Sequence, residues 1–271
     1  MVGLDRLQMS NQFQLRFRAG ALTLVLWSLA IAPAWTDDLP SETRRPDAAA
    51  SPAQLAPFHQ PDKPGLHPAW ILETLPDRSV AATQFNWMLV DQTSALRVKT
   101  DRSYGLLRHA WSGPHGPVLA WRWRLDVALK TPDLQTKQGD DAAIKVCVLF
   151  DQPLSQIGFL ERAALALARE ISQKPLPSAT LCYVWDTRYG RGHKGHNPYT
   201  GRVRYIVVDD AQSPRQQWVK QARNLGSDFD LMFGSESKVL PPVAAVVVGA
   251  DSDNTGQSSL AFVQNLRWLN R

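Results

Sequence analysis

The chain has 271 residues, with 30 Lys and Arg against 25 Asp and Glu, for a net charge of +5. At 44% hydrophobic and 20% charged residues it can bury a core, which excludes wholesale disorder. Two cysteines exclude a disulfide-dense scaffold and a four-cysteine zinc site, and no apolar run is long enough for an ordinary spanning helix.

In chain order, the first signal is an address. Arg16 and Arg18 precede a short apolar run from Ala19 to Ile31, and Ala32-Pro33-Ala34 places small residues where a signal peptidase reads. Residues 1–34 are expected to be a secretory signal peptide cut after Ala34; an uncleaved anchor or a buried helix is the alternative. No Cys follows the run, so a lipoprotein anchor is not expected. Loss of Asp5, Arg6, Arg16 and Arg18 lowers the net charge from +5 to +3. That balance, without a block of basic residues, argues against nucleic acid as a partner. The expectation is a periplasmic or secreted protein that does not span the membrane after signal cleavage.

Residues 35–68 carry Pro40, Pro46, Pro52, Pro57, Pro61 and Pro64 without apolar periodicity. They read as a flexible Pro-rich linker. The alternative is an arm docked through Leu55 and Phe58.

Residues 69–271 read as a single β-sandwich domain. Trp121, Trp123, Leu125 and Val127 alternate with Arg122, Arg124 and Asp126, a period of two that gives one buried face and one wet face. Shorter runs of the same kind cover Phe85–Val90, Ala95–Lys99 and Tyr104–His109. Ile144–Phe150 is apolar on both faces, as a central strand should be. Leu181–Trp185, Val203–Val208, Val243–Val248 and Leu260–Trp268 follow, with Gly-containing turns between the runs.

Ser155–Ser172 breaks the pattern, because Leu160, Ala163, Ala164, Leu167 and Ile171 follow helical spacing. A second short helix is predicted over Asp228–Phe233, capped by Ser227 and stopped by Gly234. Many strands and few helices predict a mostly β fold. The expected form is an antiparallel two-sheet β-sandwich, jelly-roll-like, with one or two short helices.

Six segments together carry a family resemblance. They are WRWRLD at Trp121–Asp126, QGDDAAIKVCVLFD at Gln138–Asp151 and PLPSATLCYVW at Pro175–Trp185, then HNPYTGRVRYIVV at His196–Val208, RNLGSDFDLMFG at Arg223–Gly234 and ADSDNTG at Ala250–Gly256. In this order the chain resembles a bacterial exported family, domain-of-unknown-function family 3047. The resemblance implies an exported β-rich domain and no particular activity. Cys147 stands where the resemblance leads one to expect Tyr.

Several residues invite chemistry. Asp251, Asp253 and Thr255 with Gly256 match the opening of a calcium loop, with oxygen ligands at alternate positions before a glycine. Phe262 stands where the closing bidentate Glu belongs, and a Val-rich strand precedes the loop. A polar turn that bonds its own backbone is the alternative reading, so calcium is the one cofactor considered.

Asp140 and Asp141 sit at a strand entrance, and neighbouring strand residues point to opposite faces. One could meet Arg122 or Arg124 across the sheet while the other reaches a ligand. Trp185, Asp186 and Tyr199 bound a Gly-rich loop that also holds His193 and His196. Aromatics beside charged groups suit sugar recognition; a loop packed on its own aromatics is the alternative. Arg223 reads either as a ligand clamp or as a partner for Asp228. Export to an oxidising compartment would allow a Cys147–Cys182 disulfide, with two buried thiols as the alternative. The leading functional expectation is binding of a glycan or another cell-envelope component. A hydrolase or lyase acting on an envelope polysaccharide, and a structural module binding a periplasmic protein, are its rivals.

Overall fold

The computed structural model describes residues 53–76, 79–172 and 176–270. The expected signal peptide and its cleavage point lie outside the described residues. The strands in chain order are β1 (Trp70–Glu73), β2 (Ala81–Ala82), β3 (Gln84–Val90), β4 (Thr93–Asp101), β5 (Ser103–Ala110), β6 (Val118–Val127) and β7 (Lys145–Phe150). Helix α1 (Phe159–Ser172) is followed by β8 (Ala179–Trp185), β9 (Lys194–Asn197), β10 (Thr200–Asp209) and β11 (Val219–Asn224). Then come α2 (Leu225–Phe233), β12 (Val243–Asp251) and β13 (Ser258–Leu269).

Two sheets pack as a sandwich. The larger runs β1-β5-β12-β7-β8-β10-β9, with β2 beside β5; the smaller runs β11-β6-β13-β4-β3. Pairing is antiparallel except that β10 lies parallel to β8 and β2 parallel to β5. That amends the antiparallel expectation at two ladders. Reversal at β8–β10 comes from β9, which folds back antiparallel on β10 and takes its other edge. Period-two patterning cannot tell a parallel partner from an antiparallel one.

The alternation in β6 holds through Leu125, but Val127, expected on the buried face, is exposed at the strand end. Trp121, Trp123 and Leu125 are buried, and Trp121 and Trp123 reach Tyr183 and Trp185 of the facing sheet at ring distances of 5.3 and 5.7 Å. Burying such rings supplies the largest share of core stabilisation, a few kcal/mol each (about 1.5–3). Trp123 Nε1 also donates to the buried Asp209 carboxylate at 2.7 Å. Gln221 Nε2 (2.6 Å), Arg191 Nη2 (2.7 Å) and Ser213 Oγ (2.9 Å) donate to the same carboxylate, so its burial is fully compensated.

Asp91 and Gln92, both with positive φ, make the two-residue hairpin between β3 and β4. Helix α2 begins earlier than expected, because the cap is Asn224, whose side chain accepts from Ser227 N. Within the expected linker, Leu55 and Phe58 are buried against the core beside Trp70. These are the two residues singled out above as anchors for a docked arm.

Candidate functional site

Because strand residues alternate faces, the larger sheet has an outward face as well as a core face. Register places its outward residues in rows. Tyr104 pairs with Asp251, and Gly249 sits between Leu106 and Lys145. In the next row Val247, Cys147, Cys182 and Tyr205 stand side by side on β12, β7, β8 and β10. Then come Leu149, Thr180 and Val203.

A cleft of about 560 Å³ runs along these rows. Its size lies within the ordinary range for ligand sites, roughly 300–1,000 Å³. A Cβ at Gly249 would come within 2.6 Å of Leu106 and 3.1 Å of the Lys145 stem, so glycine there keeps the floor open.

The polar end is built on two strand termini and the segment entering β7. Asp251, almost fully buried, accepts from Ala142 N at 2.7 Å through Oδ1 and forms an ion pair with Lys145 through Oδ2. Burial works against the Lys145 ammonium, but Asp251, Tyr104 and Asp140 together hold its pKa above the ordinary lysine range. The Tyr104 ring lies 5.9 Å from that ammonium, and burial pushes its phenol up to about 12, so it is a neutral hydrogen-bonding group.

Asp140 accepts from Asn197 Nδ2 at 2.5 Å, and burial pushes its carboxyl up to about 6 despite the lowering pull of Lys145. Asp253 also lines the cleft; its Oδ1 is buried without a hydrogen-bond partner, and burial raises its pKa. Tyr199 stands on the rim, exposed, with Lys137 over its ring at 4.9 Å.

The structure therefore brings together Asp140, Tyr199, Asp251 and Asp253 from the residues singled out above. It adds Tyr104, Lys145 and Asn197. Lys145 had a signal, since a lone cation enters an otherwise apolar strand. Tyr104 and Asn197 had none, because only register across the sheet aligns them.

Other candidates go elsewhere. Trp185 is buried between the sheets with Nε1 donating to the Asp210 carbonyl, so it presents no face to a sugar. Asp186 is buried and accepts from Arg188 N and Tyr189 N, both at 2.6 Å, as the cap of a turn. Arg122 lies on the smaller sheet with its guanidinium 5.5 Å from the Trp218 ring, and Arg124 pairs with Asp126. Neither meets Asp140 or Asp141. Arg223 holds Asp228 through two hydrogen bonds of 2.6 and 2.9 Å, the structural alternative noted above. His193 stacks on Tyr189, and His196 bonds the Asn197 carbonyl.

Asp141 turns away from the cleft. Fully buried, it accepts from Thr255 N (2.6 Å), Asn254 N (3.2 Å) and Asn254 Nδ2 (3.3 Å), clamping the 251–256 loop. Thr255 Oγ1 is buried without a partner. Among the described residues, no group of three or more His, Cys, Asp or Glu side chains is placed to hold a metal ion. Cys147 and Cys182 form a disulfide directly across β7 and β8, in the cleft floor. Among the described residues no helix is long and apolar enough to cross a membrane.

Comparison with known proteins adds the following. No curated protein matches the chain. Among solved structures, the crystal structure of an agarase, AgWH50C, is similar over 81% of this chain at 8% identity and a TM-score of 0.30. The match spans 25% of that agarase chain. A family model described as Protein of unknown function (DUF3047) matches residues 68–267, most of the chain, and the chain belongs to that family.

Proposed function

We propose that the protein is an exported binding protein whose cleft takes a glycan or another glycan-bearing component of the cell envelope. One observation carries the reading. At the polar end of the cleft, donors (Tyr104 Oη, Lys145 Nζ, Asn197 Nδ2) and acceptors (Asp140, Asp253) converge, with the Tyr199 ring exposed at the rim. Sugar hydroxyls both donate and accept, and a pyranose offers an apolar face to a ring. The signal-like residues 1–34 supply the export part of the proposal.

A glycan array followed by calorimetry tests it. Binding is expected, and Tyr104→Phe and Asp253→Asn should each weaken it about tenfold or more, the weight of one hydrogen bond to a buried partner. No binding to any envelope saccharide would remove the proposal.

A hydrolase or lyase is the second reading. Asp140, held near pKa 6, shares the cleft with Asp253, and perturbed carboxyl groups gather at catalytic sites. Product release from labelled polysaccharide, abolished in Asp140→Asn, would favour it over simple binding. Calcium enters only as an ion on Asp253 and Thr255, whose Oδ1 and Oγ1 are buried and unpartnered.

A further inference from the structure

We propose that the ligand is amphiphilic, with a neutral saccharide head at the Asp140–Lys145–Asp253 end and a hydrocarbon chain lying over Leu106, Leu149, Val203 and Val247. The inference rests on the glycan reading and specifies what the glycan is attached to.

An outward sheet face normally meets water and is polar. Here it is not. Leu106, Leu149 and Val203 are half-buried on that face, around a floor of Val247 and the Cys147–Cys182 disulfide. Among the described residues, neither helix contributes to the lining of that cleft. Leu176 and Pro177, which follow α1, continue the apolar lining. A contiguous apolar surface in a cleft marks something that binds there.

Polarity changes along the strands rather than across them. On β7, Lys145 is polar, then Cys147 and Leu149 are apolar on the same face. On β12, Asp251 is followed in space by Gly249 and Val247. Lys145 and Leu149 are four residue steps apart along the strand, about 13 Å. A ligand following the cleft would therefore meet charge and hydroxyl groups first and hydrocarbon afterwards.

Charge selects the head. Among the described residues that line the cleft Lys145 is the cation, and Asp251 already engages it. Asp140, Asp253 and Glu73 line the same cleft. A carboxylate, sulfate or phosphate head would add negative charge beside these groups, in a site where screening by water is weak. A hydroxylated neutral head instead supplies donors to Asp140 and to the unpartnered Asp253 Oδ1.

The test is calorimetry on the purified protein with hexyl, octyl and decyl glucoside below their micelle concentrations, free oligosaccharide, and decanoate. Affinity should rise with chain length, up to about fourfold per methylene. Decanoate should bind at least about tenfold more weakly than decyl glucoside, as expected for a like charge in a partly desolvated site. Leu149→Gln, checked by its melting temperature, should flatten the chain-length dependence. Free oligosaccharide binding with a flat alkyl series would overturn the amphiphile and leave the glycan reading intact. Decanoate binding as tightly as decyl glucoside would overturn the assigned head. No binding by any of these saccharides would overturn the inference, and an equally empty glycan array would remove the glycan reading with it.

Discussion

Asp141 accepts the Thr255 backbone N–H at 2.6 Å although the two residues are 114 positions apart in the chain. The buried carboxylate ties the entrance of β7 to the loop after β12, and so fixes Asp140 and Asp253 on one cleft wall. Asp141→Ala leaves the loop N–H groups without that acceptor. It is expected to cost about 3 kcal/mol in urea unfolding and to weaken ligand binding. A variant as stable as the parent would show that the clamp contributes nothing.

The loop gives a second prediction. Held by Asp141 and Lys145, it should keep its geometry without an ion, so EDTA should leave the melting temperature unchanged. A lower melting temperature in chelator, restored by calcium, would place an ion on Asp253 and Thr255 through binding linkage.

Lys145 and Asp251 form an ion pair in which Asp251 is nearly fully buried. Lys145→Met strands that carboxylate and should destabilise by about 3–5 kcal/mol. Pairing it with Asp251→Leu should recover most of the loss, since it removes both charges. Denaturant melts of the single and double variants measure the coupling, and equal losses in the two would refute it.

Cys147 and Cys182 close a stretch of 35 residues that includes α1. Removing the crosslink frees that stretch in the unfolded chain, a loss of roughly 4 kcal/mol. Cys147→Ala/Cys182→Ala should melt roughly 10 °C lower, and a parental melting temperature would contradict this.

Asp140 supplies a pH signature. Its folded pKa, about 6, lies above the ordinary carboxyl value, so the folded state holds the proton more tightly. Stability from this group is present at acid pH and is lost as pH rises through about 6. Asp140→Asn carries no charge to lose. The variant should therefore gain melting temperature over the parent at about pH 8 and gain little at about pH 4. The opposite order would show that the carboxyl is not held protonated by burial.

The linear pattern carried the fold class and much of its detail. Alternation in β6 put Trp121 and Trp123 inside, and helical spacing marked α1. Such readings succeed because side-chain direction follows backbone period, a local property. Strands β9 and β11 were hidden, since one lies in a Gly-rich loop and the other pairs as a half-exposed edge. Trp185 shows the complementary failure. Its place beside a loop suggested a sugar platform, but period two in β8 turns it into the core.

By itself, then, the sequence determined a two-sheet β protein with one or two short helices, a cysteine in each of two strand-like runs and acidic residues at strand ends. Only the tertiary structure decided that Asp140, Lys145, Asp251 and Asp253 share one cleft while Arg122, Arg223 and Asp186 do not. The reason is register. A strand's period fixes which residues share a face, but which strands become neighbours, and at what offset, is set by packing the whole sheet.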